Sequence, residues 1–104
     1  RLRQGAPDEA AALVAEVWPL LARDVEALGE ATGLRGQIAA AQGDLETAIR
    51  LLREAAEIQR GASLHGAAVS TSLRLGDALR QRGHLTEAIE AYRRGLDSAA
   101  GTEG

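Results

Sequence analysis

The chain has 104 residues, a formal net charge of −3 and no cysteine. That length supports one small domain burying roughly 60–70% of its unfolded surface. The charge speaks against a direct nucleic-acid partner, which needs clustered positive charge. Without cysteine there is no disulfide framework, thiolate metal site or cysteine nucleophile. Apolar residues make up 45% of the chain but aromatics only 2%, Trp18 and Tyr92. A core must therefore be assembled from Ala, Leu, Ile and Val, which suits helices at close approach. No apolar run reaches the 18 or more residues of a membrane span. Arg1 and Arg3 lead into polar sequence instead of the apolar core of a signal peptide. A cytoplasmic protein with no membrane partner is the expectation. All twelve basic residues are Arg, which beside the heavy Ala and Gly use suggests the coding bias of a GC-rich genome.

Helix-period patterns run through the chain, with no sustained alternation to mark a strand. In the first, Pro7 suits an opening helical turn and Asp8 and Glu9 complement its dipole. Ala10, Ala11, Val14, Val17 and Trp18 give it an apolar face, and Pro19 is expected to end or kink it. Trp18 suits the core, although tryptophan also anchors interfaces. A second helix is expected from Asp24, as N-cap, to about Gln42. Its inward residues would be Val25, Leu28, Ala31, Leu34, Ile38 and Ala41, and Gly29, Gly33 and Gly36 interrupt it. Those glycines either weaken the helix or admit a close neighbour.

Gly43 terminates that helix and Asp44 caps the next, which runs from Leu45 to about Gly61. Ala48, Ile49, Leu52, Ala55 and Ala56, with Leu51 and Ile58 alongside, make a stripe wide enough for burial on two sides. Glu46–Arg50 and Arg53–Glu57 have the i,i+4 spacing of helix-surface ion pairs. A fourth helix from about Ser63 to Arg82 faces inward through Leu64, Ala68, Thr71, Leu75, Ala78 and Leu79. Gly83 ends it. The fifth, about Leu85 to Ala99, is expected to bury Ala88, Ile89, Tyr92 and Leu96, and the residues after it to fray.

Period is the strongest feature. Gly43 and Gly83 lie 40 residues apart, each between two helical patterns, and each is followed five residues later by alanine (Ala48 and Ala88). Gly5 and Ala10 repeat that spacing. Units of this kind stack, because one hairpin cannot bury its apolar face alone.

These residues resemble the tetratricopeptide repeat. Leu75, Gly76, Gly83, Ala88, Tyr92 and Gly95 match its pattern in the second repeat. Gly36, Gly43, Ala48, Leu52 and Ala55 match it in the first, where Arg35 stands in the place of leucine. Gly5, Ala10, Val14 and Val17 form a half-repeat. The 40-residue period, against 34 in the common repeat, resembles long-helix variants, including those of bacterial regulators.

The resemblance implies an all-α fold: a short right-handed superhelix of stacked antiparallel hairpins, about two and a half repeats and five helices. Its divisions are a half-repeat at 1–22, repeats at 23–61 and 62–100, and a frayed tail at 101–104. It also implies a non-catalytic scaffold whose concave groove holds a protein or peptide. Carried over by position, the groove candidates are Glu30, Gly33, Gln37, Ala40 and Ala41 in the first repeat. In the second they are Ser70, Leu73, Asp77, Arg80 and Gln81. Members that clamp a C-terminal carboxylate use Lys and Asn, both absent here, and only Arg74 falls at a basic clamp position. Arg74, Arg80, Arg82, Arg93 and Arg94 would favour an acidic partner by direct pairing, although a solvated helix face is the ordinary role of such arginines.

Enzymatic chemistry finds no support. His65 and His84 are 19 residues apart, and His84 with Glu87 supplies two potential ligands where a metal site needs three or four. Ser63, Ser70 and Ser72 lack an assembled base and orienting acid. Gly33-Leu-Arg-Gly36 lacks the Lys-Ser/Thr of a phosphate loop. Glu54 and Glu57 sit on a wet face beside arginines, where nothing raises a carboxylate pKa. No cofactor is expected. Two other roles compete with groove binding. One is self-association or packing against parts of a longer chain, since the pattern opens mid-repeat and no polar capping helix follows Leu96. The other is a sensory segment of a bacterial signalling or transcription regulator.

Overall fold

The computed structural model describes the backbone of residues 6–101 and, within its first helix, the side chains of residues 12, 16–17 and 19 onward. The described residues form four helices, α1 (Ala6–Ala41), α2 (Leu45–Gly61), α3 (His65–Arg82) and α4 (Leu85–Gly101), and contain no strand. The packing expected of Ala10, Val14 and Trp18, the tail at 1–5 and the fraying beyond Gly101 lie outside what is described.

The first two expected helices are one. α1 runs 36 residues with Pro19 inside it. Asp24, expected to cap a new helix, lies within it. A single proline removes one i→i−4 bond and crowds the carbonyl four residues back. The flanking Val17, Leu20, Leu21 and Ala22 supply enough helix-compatible sequence to continue past it. At a rise of about 1.5 Å per residue, α1 is about 54 Å long against about 26 Å for α2. Its N-terminal half therefore projects beyond the rest, and the longest dimension of the molecule is 57 Å.

The three turns are copies of one another. Gly43, Ser63 and Gly83 take left-handed φ values of 83°, 59° and 90°. At each, the residue's N–H bonds back to the carbonyl three before it, and the next N–H to the carbonyl five before. Thus Gly43 reaches Ala40 and Asp44 reaches Ala39; Ser63 reaches Arg60 and Leu64 reaches Gln59; Gly83 reaches Arg80 and His84 reaches Leu79. These bonds satisfy the last carbonyls of each helix. The left-handed residue recurs every 20 positions, so each 40-residue repeat is two equal helix–turn halves. Asp44 caps α2 as expected, accepting from the Thr47 N–H at 3.2 Å. That bond lowers the Asp44 carboxyl below its ordinary pKa.

α2 packs on α1 and on α3, and α3 on α4. Its two-sided burial follows the wide stripe: Ala48, Leu51, Leu52, Ala55 and Ala56 are all buried. Ala68, Thr71, Leu75, Ala78 and Leu79 of α3 are buried as expected.

α1 and α4 turn differently from expectation. α1 buries Gly29, Thr32, Gly33, Gly36 and Ala39, while Leu28, Leu34 and Ile38 are exposed. The reason is close approach. A Cβ on Gly36 would lie 2.8 Å from Leu52 Cγ and 3.2 Å from the Leu52 backbone nitrogen. Small residues admit α2, and the larger ones are left on the opposite side. α4 likewise buries Ala88, Ala91, Gly95 and Ser98, with Tyr92 half-buried and Ile89 and Leu96 exposed. Their counterparts 40 residues earlier, Ile49 and Ala56, are covered because α3 lies over α2.

Ion pairs stitch neighbouring helices. Glu46 and Arg53, expected to pair within α2, reach Arg82 at 2.8 Å and Glu87 at 3.2 Å. Glu57 holds Arg60 at 2.7 Å and Arg94 at 3.3 Å.

Candidate partner-binding surface

α1 and α3 are the first helices of their hairpins, and their C-terminal halves border a shallow cleft. Its volume is about 250 Å³, and Gln37, Ala40, Leu52, Arg74, Asp77, Ala78 and Gln81 line it. The repeat explains this composition. Residues one turn apart on each helix point into the same furrow, and Leu52 and Ala78 are core side chains at its base. Gln37, Arg74, Asp77 and Gln81 give it a polar rim able to donate and accept hydrogen bonds.

Of the residues carried over from the family pattern, Gln37, Ala40, Arg74, Asp77 and Gln81 come together here. Ala41 lies exposed at the end of α1 beside the cleft. Ser70 is exposed nearer the start of α3, and Leu73 packs its Cδ2 near Gly95. Arg80 stands 3.9 Å from Asp77. The neighbouring Tyr92 hydroxyl, with Asp77, raises its guanidinium pKa above the ordinary value. Gly33 is elsewhere: it is buried, with its Cβ position 3.6 Å from Ala55 Cβ and 3.9 Å from Thr71 Oγ1. Glu30 borders a different depression, with Glu26, Gln59 and His65. Sequence reasoning had no separate signal for Leu52 and Ala78 as cleft residues, because they read equally well as core.

Tyr92 shapes the cleft from behind. Its hydroxyl donates to Asp77 Oδ1 at 2.6 Å, and its ring lies against Gly76, where a Cβ would come within 2.5 Å of Cε1. Asp77, the acidic side chain among the residues lining the cleft, is thereby tied to α4 by a hydrogen bond.

Several titratable groups outside the cleft pair with one another. His84 Nδ1 and Glu87 Oε1 are 3.0 Å apart, and hydrogen bonding to His84, helped by Arg53, lowers the Glu87 pKa. The Arg60 guanidinium similarly lowers Glu57. Among the described residues no three His, Cys, Asp or Glu gather as a metal site would need. No helix among them is long and apolar enough to cross a membrane.

Stacked antiparallel hairpins with small residues at the helix contacts and a furrow between the first helices define a helical-repeat protein. The family model for the tetratricopeptide repeat matches residues 27–100, and the chain belongs to that family. Such repeats generally serve as non-catalytic scaffolds for protein–protein interaction. No curated protein and no solved structure matches the chain significantly.

Proposed function

We propose that the cleft between α1 and α3 captures a segment of a protein partner. The supporting observation is the coincidence of five family-positioned residues in one furrow with a hydrogen-bonded acidic group and an apolar base. A bound segment would lay small apolar side chains on Ala40 and Ala78 and exchange hydrogen bonds with Gln37 and Gln81. Arg74 would pair with a carboxylate of the partner, a charge-assisted contact stronger than a neutral one. Further hairpins stacked in the same sense would extend the furrow along a right-handed superhelix. The chain is a binding element in this reading, with no catalytic residue, cofactor or metal.

The test is selection of a displayed peptide library on the purified chain, followed by titration of a selected peptide. Arg74→Glu and Gln37→Ala should each weaken that peptide by about tenfold, the loss expected for a charged or well-placed polar contact. Reversing Asp77 and Arg80 together should weaken it too, with helicity intact. Unchanged affinity in all these variants would move the site elsewhere.

A further inference from the structure

The furrow between α1 and α3 does not end at the cleft. Glu26, Glu30, Gly33, Gln37 and Ala40 follow alternating four- and three-residue steps along α1. Ala67, Ser70, Arg74, Asp77 and Gln81 do the same along α3. Residues at such steps share one helix face, and the cleft lies at the C-terminal end of both stripes. At their other end is the second depression, about 430 Å³, lined by Glu26, Glu30, Gln59, His65, Gly66 and Ala67. Glu30 precedes Gln37 by seven residues, as Ala67 precedes Arg74. At about 1.5 Å per residue, the two hollows stand about 10 Å apart along the helices.

Two observations at this end point to a ligand. Glu26 and Glu30 are exposed one turn apart, and neither has a cationic partner among the described residues. Glu46, Glu57, Glu87 and Glu90, by contrast, all pair with arginine. Like charges at this spacing repel, and no arginine is among the residues lining the depression. The second observation is Gln59, on the floor. It is 4% exposed, and its Oε1 has no hydrogen-bond partner. The same place before the other two turns holds Ala39 and Leu79, both core residues. A glutamine there leaves a buried acceptor unpaired, a cost that folding does not return. Its last torsion is soft, so the amide can turn its oxygen to a donor in the depression. The α3 wall adds donors. Leu64 gives α3 no side-chain cap, so the first N–H groups of the helix, Gly66 and Ala67 among them, have no intrahelical acceptor.

We infer that this depression is a second subsite of the furrow and receives a basic residue of the bound segment. The carboxylates of Glu26 and Glu30 flank its cationic group, and Gln59 Oε1 accepts one of the several N–H bonds such a group carries. The start of α3 takes the main-chain carbonyl of the same residue, so the acceptors of one wall and the donors of the other are both used. With Arg74 pairing a carboxylate in the cleft, the furrow reads the order of charges along its partner. An extended chain covers about 10 Å in about three residues, so the basic and acidic residues stand three or four apart. Only the acidic half of this pattern rests on the cleft reading.

Peptides selected from a displayed library on the full chain should carry Lys or Arg three or four residues from Asp or Glu. Glu30→Arg, at an exposed position, should weaken such a peptide by about tenfold. Changing the peptide's basic residue to Glu should restore binding to the Glu30→Arg chain and not to the unmodified one. Gln59→Leu copies Leu79 of the next turn, so it should raise the denaturant midpoint while weakening the peptide by about fivefold. That loss should vanish for a peptide with alanine in place of its basic residue. No enrichment of basic residues, no rescue by the charge exchange, or undiminished affinity in Gln59→Leu would each overturn the subsite. Binding still lost in Arg74→Glu would then leave the cleft standing. A peptide released by Glu30→Arg but indifferent to Arg74→Glu would instead uphold the subsite and sink the cleft.

Discussion

The Tyr92 hydroxyl hydrogen-bonds Asp77 at 2.6 Å, tying a packing residue of the second hairpin to the acidic side chain of the cleft. Tyr92 is the large residue the repeat needs against Gly76, and its polar end orients a group at the surface. Packing and recognition therefore share one side chain. Tyr92→Phe keeps the ring and removes the bond, and should cost about 0.5–1 kcal/mol of stability. It should also free Asp77, which would show as a change in the affinity of a cleft-bound peptide larger than the stability loss accounts for. Chemical denaturation alongside peptide titration separates the two.

Gly76 tests the ring itself. Gly76→Ala puts a methyl into space that Tyr92 occupies, and the ring can yield only by breaking its bond to Asp77. Overpacking of this kind costs about 1–3 kcal/mol. In a Tyr92→Ala background the same substitution should cost much less. An equal loss in both backgrounds, measured by urea unfolding, would show that helix geometry and not the ring demands glycine there.

Ser63 occupies the middle one of three equivalent turns with φ 59°, where Gly43 and Gly83 hold the other two. A side chain in that region is disfavoured by about 1–2 kcal/mol. Ser63→Gly should raise stability by somewhat less, about 0.5–1 kcal/mol, because glycine also has more freedom to lose on folding. A rise in melting temperature without change in helicity is the expected readout.

The same turn shows what could be read from the residues and what could not. Gly43 and Gly83 announce themselves because glycine is the default left-handed residue. Ser63 does not, and the nearby Gly61, the last residue of α2, draws the eye instead. The burial of α2 was legible because its large residues occupy both faces. On α1 the large residues misled: closeness to α2 selects Gly29, Gly33 and Gly36, and Leu28, Leu34 and Ile38 are displaced outward. Hydrophobicity ranks residues by size, whereas a tight helix pair selects by absence of size. Of the cleft, the rim was legible from the repeat pattern. Its base, Leu52 and Ala78, was not, because a core residue bordering a furrow looks like any other core residue.

Acid should loosen the surface network. The carboxyls of Asp44, Glu57 and Glu87 all have lowered pKa values, held down by Thr47, Arg60 and His84 in turn. A depressed carboxylate contributes stability that is complete above its unfolded value, near ~4, and lost as the pH falls through its folded value. Melting temperature should thus be flat from about pH 7 to 5 and fall below about pH 4. Each pair is solvated, so the separate contributions are small. Glu57→Gln should lower the melting temperature at neutral pH and shrink its difference from the unmodified protein at low pH. A difference that grows on acidification would contradict the assignment.

Pro19 sits inside α1 where the N-terminal half leaves the body of the molecule, beside Ala22, Val25, Ile58 and Ala62. Proline in a helix interior costs about 3 kcal/mol relative to alanine, through the missing N–H and the crowding of the preceding turn. Because the arm beyond it is not covered by α2, that cost falls on the arm and not on the hairpin core. Pro19→Ala should therefore raise amide protection over residues 15–23 while leaving the denaturant midpoint of α2–α4 nearly unchanged. Hydrogen exchange and urea unfolding on the one variant read the two effects separately. Unchanged protection on substitution would mean that the cost of Pro19 does not fall on the arm.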